Sequence, residues 1–160
     1  MPELAEVEHA RRLWDAARGA AVTAVRSASP RVRALRDVDL DAVAAALVGA
    51  ALTDSEARGK QMAFRFGPEG DAWLGVHLGM SGRLRVEPAG HEPARHEHLV
   101  LDTAAGALVF HDPRGFGRVR FARGEAEPAW WSSIAPSVLS DAFTAAAVGD
   151  FLARHGRAPV

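Results

Sequence analysis

The first two residues after Met1, Pro2 and Glu3, could together perform covalent catalysis. If Met1 is removed, Pro2 presents a secondary amine at the chain terminus, where an α-amino group has an ordinary pKa of about 8. Part of such an amine is an uncharged nucleophile at neutral pH, able to attack an electrophilic sugar or carbonyl carbon and form an iminium (Schiff base). Glu3 stands beside it as a candidate proton donor or acceptor. Alternatively, Pro2 is simply a favourable first residue of a helix.

Three further short motifs follow this start, in order along the chain. They are Arg58-Gly59-Lys60, His77-Leu78-Gly79-Met80-Ser81-Gly82 and Asp112-Pro113-Arg114-Gly115-Phe116-Gly117. Together with Pro-Glu-Leu-Ala-Glu-Val-Glu at residues 2–8, they resemble the N-terminal domain of the formamidopyrimidine-DNA glycosylase and endonuclease VIII family. Arg114 and Phe116 are more similar to the formamidopyrimidine branch. Four motifs in series are far more specific than any one of them.

The resemblance implies a role for each of the other matching side chains. Met80, Arg114 and Phe116 match the trio that fills the space left when a damaged nucleotide leaves the duplex, a task suited to apolar side chains and arginine. Lys60 matches a lysine of the catalytic site that grips a phosphate beside the lesion, and His77 matches a second phosphate contact.

Each of these side chains also has an ordinary structural interpretation. Met80 could fill a gap in the core, and Phe116 could anchor a strand. Lys60 could be a solvated lysine at a strand end, and His77 could be a histidine packed on the sheet. The glycines and serine around Met80 favour an exposed hairpin tip for that residue.

The resemblance implies a bifunctional DNA repair enzyme, a DNA glycosylase with AP lyase activity on double-stranded DNA. Its substrates would be oxidised purines such as 8-oxoguanine and formamidopyrimidines. Pro2 would attack C1′ of the flipped nucleotide, and Glu3 would protonate the deoxyribose ring oxygen or relay protons during ring opening, with no cofactor or metal. Glu6 would support this site electrostatically or cap the helix. The alternative is a catalytically silent DNA-binding or structural relative.

Two positions depart from the usual family pattern. Ala5 replaces a proline, and because alanine is compatible with a helix we expect little harm. Gly115 replaces a second arginine that would contact backbone phosphates, which lowers the expected affinity for DNA.

Composition supports a globular chain and limits its metal chemistry. Of 160 residues, 48% are hydrophobic and 24% are charged, as in folded domains. There is no cysteine, so disulfides and thiolate zinc sites, including the family's zinc finger, are excluded from this chain. The spacing of His91, His96 and His98, with two glutamates among them, fits no standard metal-ligand motif.

The net charge of −1 is unfavourable for a DNA-binding protein, because affinity for DNA comes largely from neutralising phosphates. Either the basic groups cluster on one face, or the main DNA-binding surface lies outside this chain. The sequence contains no apolar run of membrane-spanning length and no signal-peptide pattern. A cytoplasmic protein is therefore the default expectation. A monomer is expected as well.

The elements that must position these residues follow from periodicity. Residues 4–18 predict an amphipathic helix that ends at Gly19, followed by a strand at 20–27. A second helix is expected at 40–48, with Asp39 or Asp41 as its cap. From residue 50 onward apolar residues alternate, as in strands, at 62–66, 73–78, 83–86, 98–101, 108–111 and 118–121. This pattern predicts an α+β, mainly β fold: an antiparallel β-sandwich flanked by an N-terminal catalytic helix and a second short helix.

The tail has a different character from the strand-rich part. Residues 1–135 are expected to form the glycosylase domain. Residues 136–160 would be a linker and the start of a truncated helix–two-turns–helix module, with a helical pattern from 144 to 155. Because that module would help to grip DNA, the 160-residue chain is expected to fold but to be inactive alone.

Overall fold

The computed structural model describes residues 2–135 and 140–155, which form four α-helices, a 3-10 turn and eight strands. The helices are α1 (Leu4–Asp15), α2 (Leu40–Leu47), α3 (Ala129–Ser132) and α4 (Ala145–His155), and the 3-10 turn is Arg33–Leu35. The strands are β1 (Val22–Arg26), β2 (Leu52–Arg58), β3 (Gln61–Phe66), β4 (Ala72–His77), β5 (Arg83–Glu87), β6 (Glu97–Thr103), β7 (Gly106–His111) and β8 (Arg118–Arg123).

The strands form two antiparallel sheets of four strands each. The first sheet has the order β1-β6-β7-β5, and the second has the order β2-β3-β4-β8. Buried apolar side chains from both sheets, α1 and α2 belong to one hydrophobic cluster. The predicted α+β fold with an antiparallel sandwich is therefore confirmed. The period-two alternation reports this architecture because one side of each strand faces the shared core.

Helix α1 is fixed to both sheets through its buried face. Val7, Ala10 and Trp14 are buried at helical spacing. The Trp14 ring lies 4.9 Å from the ring of Phe64 in β3, between centroids, and its Nε1 donates to the Arg85 carbonyl of β5 at 3.1 Å. Truncating a buried aromatic residue to alanine typically costs about 3–5 kcal/mol. Packing of this strength gives the start of the helix a defined position relative to the sheets.

Helix boundaries largely follow the local signals in the sequence. Helix α1 ends at Asp15, three residues before the predicted end, and the chain continues through turns to Gly19, whose φ of +85° suits glycine. Of the two candidate caps of α2, Asp39 is the one observed. Its Oδ1 accepts from the backbone N–H groups of Asp41 (3.0 Å) and Ala42 (3.4 Å).

Two features were not anticipated from the pattern of residues. Strand β2 was not predicted, because of its seven residues only Leu52 is buried and the rest are largely polar. The short helix α3 carries the buried Trp131, whose ring lies 4.8 Å from the Arg58 guanidinium carbon. The predicted domain boundary at 135/136 falls beside residues outside the described part of the chain and stays a prediction. Within the described residues no helix has the length and apolar character needed to cross a bilayer.

Candidate functional site

The start of α1 presents Pro2 and Glu3 at the end of a rigid element. Glu3 is the N-cap residue, and its backbone N–H donates to the Glu6 carboxylate at 2.8 Å. Of the two roles predicted for Glu6, the structure therefore supports helix capping. Because the donating N–H belongs to the peptide bond between Pro2 and Glu3, this hydrogen bond holds Pro2 at the helix terminus.

Lys60 meets the helix start from the turn between β2 and β3. Its Nζ lies 3.0 Å from Glu3 Oε1, and the two side chains are 30% and 69% exposed. An exposed ion pair of this kind contributes about 0–1 kcal/mol, so it contributes little to stability. The ion pair instead matters for position: it holds the Lys60 ammonium group beside Glu3, where a competing anion can bind Lys60 in place of Glu3.

Pro2 opens into a cleft of about 640 Å³ between α1 and β5. Glu6 and Met80 line the same cleft, so these three predicted site residues are brought together. The cleft also contains three polar side chains that the sequence did not single out: His9, Arg83 and Arg85. His9 lies one turn after Glu6 on α1, and this helical spacing is the signal that could have placed it in the site.

Met80 lies at an exposed turn, although not at the tip of a hairpin. Residues 79–82 connect β4 of the second sheet to β5 of the first, so the hairpin expectation is wrong. Met80 is 47% exposed, which rules out a gap-filling role in the core. Gly79 has φ +66°, and a Cβ there would lie 2.5 Å from the backbone N of Gly117. The turn therefore packs backbone to backbone against the loop that carries Phe116.

That loop, residues 113–117, presents Arg114 and Phe116 together. Phe116 is 47% exposed and so does not anchor a strand. The Arg114 guanidinium carbon lies 5.1 Å from the centre of the Phe116 ring, a cation–π contact. Because residues 79–82 and 113–117 pack against each other, we call them the paired turns.

Buried Asp112 is the residue that fixes both paired turns. Its Oδ1 accepts from the Ser81 hydroxyl at 2.7 Å and from the Arg114 N–H at 3.2 Å. Its Oδ2 accepts from the Gly117 N–H at 2.7 Å, and the side chain has no solvent exposure. The sequence contained the signal for this role, since aspartate before proline commonly accepts hydrogen bonds from the backbone that follows.

His77, at the end of β4, has one ring nitrogen committed to the paired turns. Its Nδ1 accepts from the Gly79 N–H at 3.1 Å, so the proton of the neutral ring is on Nε2. Burial is the main cause that lowers the pKa of His77, and the charges of Arg120 and Lys60 lower it further. At neutral pH His77 is thus an uncharged N–H donor, oriented by a backbone contact.

The predicted side chains fall into two neighbouring groups in the structure. Pro2, Glu6 and Met80 share the cleft beside α1, while His77 and Phe116 line a separate cavity of about 270 Å³. Lys60 connects the groups, since it pairs with Glu3 and its neighbour Gln61 is the register partner of His77 in the sheet.

The histidine cluster near residue 95 is used in ordinary polar contacts. His91 Nε2 lies 2.7 Å from Glu97 Oε2, and His98 Nε2 lies 2.7 Å from the Asp112 carbonyl oxygen. Over residues 2–135 and 140–155, no group of three or more histidine or carboxylate side chains has an arrangement that could hold a metal ion.

Comparison with known proteins gives a consistent family assignment. Residues 1–119 match the model of the formamidopyrimidine-DNA glycosylase N-terminal domain. The chain is 42% identical over 149 residues to formamidopyrimidine-DNA glycosylase of Laribacter hongkongensis, covering 91% of this chain and 53% of the relative. The corresponding protein of Sphingopyxis alaskensis is 40% identical over 164 residues, with 100% of this chain and 58% of the relative covered. The chain thus spans about half the length of these curated relatives.

Solved structures give the same result. The fold superimposes with a TM-score of 0.68 and 30% identity on the LlFpg protein in complex with a THF-DNA and an inhibitor, covering 78% of this chain and 44% of that one. A structure of MutM in complex with carbocyclic 8-oxo-G containing DNA superimposes with a TM-score of 0.67 and 29% identity, covering 78% and 46%. By sequence and by fold, the chain belongs to the formamidopyrimidine-DNA glycosylase family, and its residues 1–119 match the N-terminal domain.

Proposed function

We propose that this chain provides the nucleophile and the void-filling side chains of a DNA glycosylase with AP lyase activity. The observation that carries the proposal is the position of Pro2, at the capped end of α1 and facing the cleft that Met80 also lines. The Pro2 amine would then react with the extruded nucleotide while the Met80 side chain occupies the space that this nucleotide left. The relatives' common name supports a glycosylase.

In the proposed reaction the Pro2 nitrogen bonds to C1′ of the flipped nucleotide, and the bond from C1′ to the base breaks. The base leaves with the electron pair of that bond and takes up a proton. Glu3 takes up the proton that the Pro2 nitrogen loses on bonding to C1′ and passes it to the ring oxygen O4′ as the sugar opens, which leaves an iminium between Pro2 and C1′. The iminium acidifies C2′, so loss of a C2′ proton expels the 3′ phosphate and cuts the strand.

Lys60 has a second partner in this scheme. In the free protein its ammonium group pairs with Glu3 at 3.0 Å. When the phosphate beside the lesion arrives, Lys60 binds it as a point charge and releases Glu3 for proton transfer. The exchange is feasible because the ion pair is exposed and weak.

The proposed substrates are oxidised purines in double-stranded DNA. Support comes from the related solved complexes, which contain 8-oxo-G in one case and Fapy-dG in another. Arg114 would hydrogen-bond the base left without its partner while Phe116 and Met80 occupy the vacated space. Action without a cofactor, as a cytoplasmic monomer, stays a prediction.

Borohydride trapping on a duplex containing 8-oxoguanine tests the proposal directly. The full-length protein with an exposed Pro2 should form a covalent adduct, because borohydride reduces the iminium. Pro2→Gly should strongly reduce the adduct, whereas Pro88→Gly, a matched change in an exposed turn, should leave it unchanged.

An undiminished adduct from a protein that begins at Glu3 would contradict the assignment of Pro2 as the nucleophile. Lesion-specific binding with no adduct at all would instead favour the catalytically silent relative.

A further inference from the structure

Arginines make up half of the residues that line the cavity of about 270 Å³ containing His77 and Phe116. Two of its arginines come from the 3-10 turn and the residue that ends it, and two come from β8: Arg33, Arg36, Arg118 and Arg120. These segments are far apart in the sequence, and the 3-10 turn contacts β8 in the fold. We call this site the arginine cavity.

The positive charge of the arginine cavity is only partly neutralised by the protein. A single carboxylate, that of Asp37, lies 3.4 Å from both the Arg36 Nε and an Arg118 Nη. Among the described residues, neither Arg33 nor Arg120 has a carboxylate within ion-pair distance. Like charges held together without counter-charges raise the local potential and favour a bound anion.

The chemistry of the remaining wall favours a phosphate. Guanidinium groups bind phosphate oxygens through two parallel N–H bonds, and His77 adds a neutral Nε2–H donor because its Nδ1 is occupied by Gly79. Phe116 forms another part of the wall. A phosphate in the cavity would therefore lie next to the side chain proposed to enter the duplex.

We propose that the arginine cavity binds a backbone phosphate of the DNA duplex at the place where Phe116 inserts. The inference rests on the proposed function and adds a specific anchoring site to it. It accounts for two features that count against DNA binding: the net charge of −1 and the uncharged Gly115 in the same loop as Phe116. The anchoring charge comes from β8 and the 3-10 turn instead of from position 115.

The salt dependence of binding to an undamaged duplex tests this site in the full-length protein. The double variant Arg33→Ala/Arg120→Ala should flatten the slope of log K against log salt by about 0.9, the value for one phosphate contact. Arg95→Ala, which removes an exposed arginine outside the cavity, should leave the slope unchanged. Arg33→Lys/Arg120→Lys should restore the slope because the charges are kept.

A second measurement reports on the site without DNA. The charge of Arg120 lowers the pKa of His77, so Arg120→Ala should raise the pKa of His77 in an NMR titration. Inorganic phosphate should likewise shift the His77 resonance in the wild-type protein, and should shift it less in the double variant. Arg33→Ala alone, at an exposed side chain, should keep the wild-type Tm and so separates loss of binding from loss of folding.

An unchanged salt slope in a folded double variant would overturn the proposal, as would an equal loss in Arg95→Ala. If borohydride trapping succeeds while the slope is unchanged, only the arginine cavity is wrong. If the wild-type protein binds no duplex at all, both the cavity and the proposed function are overturned.

Discussion

The two parts of the proposed site are built in opposite ways. The nucleophile end, with Pro2, Glu3 and Lys60, rests on a helix cap and one exposed ion pair. The paired turns rest on Asp112, a carboxylate with no solvent exposure that accepts three hydrogen bonds. The exposed pair can exchange partners at little energetic cost, whereas the buried carboxylate holds one geometry.

The difference suggests a division of labour within one small domain. Groups that transfer protons or bind phosphate must change partners during the reaction, and weak contacts at the surface allow this. Side chains that replace a nucleotide must instead be presented in position, since any disorder in them would have to be removed on binding.

The largest effect should come from removing the support of the paired turns. Asp112→Ala leaves the N–H groups of Arg114 and Gly117 and the Ser81 hydroxyl without their acceptor. A buried donor left unpaired costs about 1–3 kcal/mol, and since the Gly117 N–H is buried and the other two donors are partly buried, the free energy of unfolding should fall by about 3 kcal/mol. Chemical denaturation measures it, with Glu125→Ala, at an exposed glutamate, as the control expected within about 0.5 kcal/mol. A loss below about 1 kcal/mol would contradict the supporting role.

Two glycines with nearly the same φ allow the effect of the contact between the paired turns to be measured separately from the effect of backbone strain. Gly79 has φ +66° with the Gly117 backbone 2.5 Å from a Cβ, while Gly115 has φ +65° with nothing within 4 Å. Gly115→Ala should destabilise by about 1 kcal/mol through φ alone. Gly79→Ala should cost about 1–3 kcal/mol more because the paired turns must separate. Equal losses in thermal unfolding would show that their close approach is not needed.

Recognition and phosphate binding should also respond differently to mutation. Arg114→Ala should reduce discrimination between opposite cytosine and adenine by about 1–3 kcal/mol, the value of a good arginine–base contact. Lys60→Ala should weaken binding to all duplexes alike and reduce the salt dependence, because it would contact phosphate. Duplex titrations with each opposite base measure both. An unchanged base preference in Arg114→Ala would remove that residue from the void-filling role.

The smallest effect is on the pH dependence of stability. It tests His77, which accepts a hydrogen bond from Gly79 of the paired turns and is influenced by the charge of Lys60. Its folded pKa lies below the ordinary 6.5, so the unfolded chain binds the proton more readily. The contribution of His77 to stability is therefore complete above about pH 6.5 and decreases as the pH falls below it. His77→Gln should reduce the loss of Tm between pH 7 and pH 5 only slightly. An NMR titration giving His77 a pKa above 6.5 would refute the oriented neutral donor.

The sequence by itself determined the family, the fold class and most elements. The order of four motifs identified the family. The period-two alternation located the six strands that lie between residues 61 and 123. Local signals such as Gly19 and Asp39 placed helix ends, because capping and positive φ depend on neighbouring residues. Strand β2 escaped because most of its residues are polar and only partly buried.

Only the tertiary structure decided how distant segments meet. Lys60 reaches Glu3 because the β2–β3 turn is packed beside α1, and residues 79–82 join two sheets instead of forming a hairpin. Asp112 became buried, and four arginines came to share one cavity, through the packing of the sheets and connecting turns. Periodicity reports whether a residue faces the core, whereas its partner is set by the relative position of elements far apart in the chain.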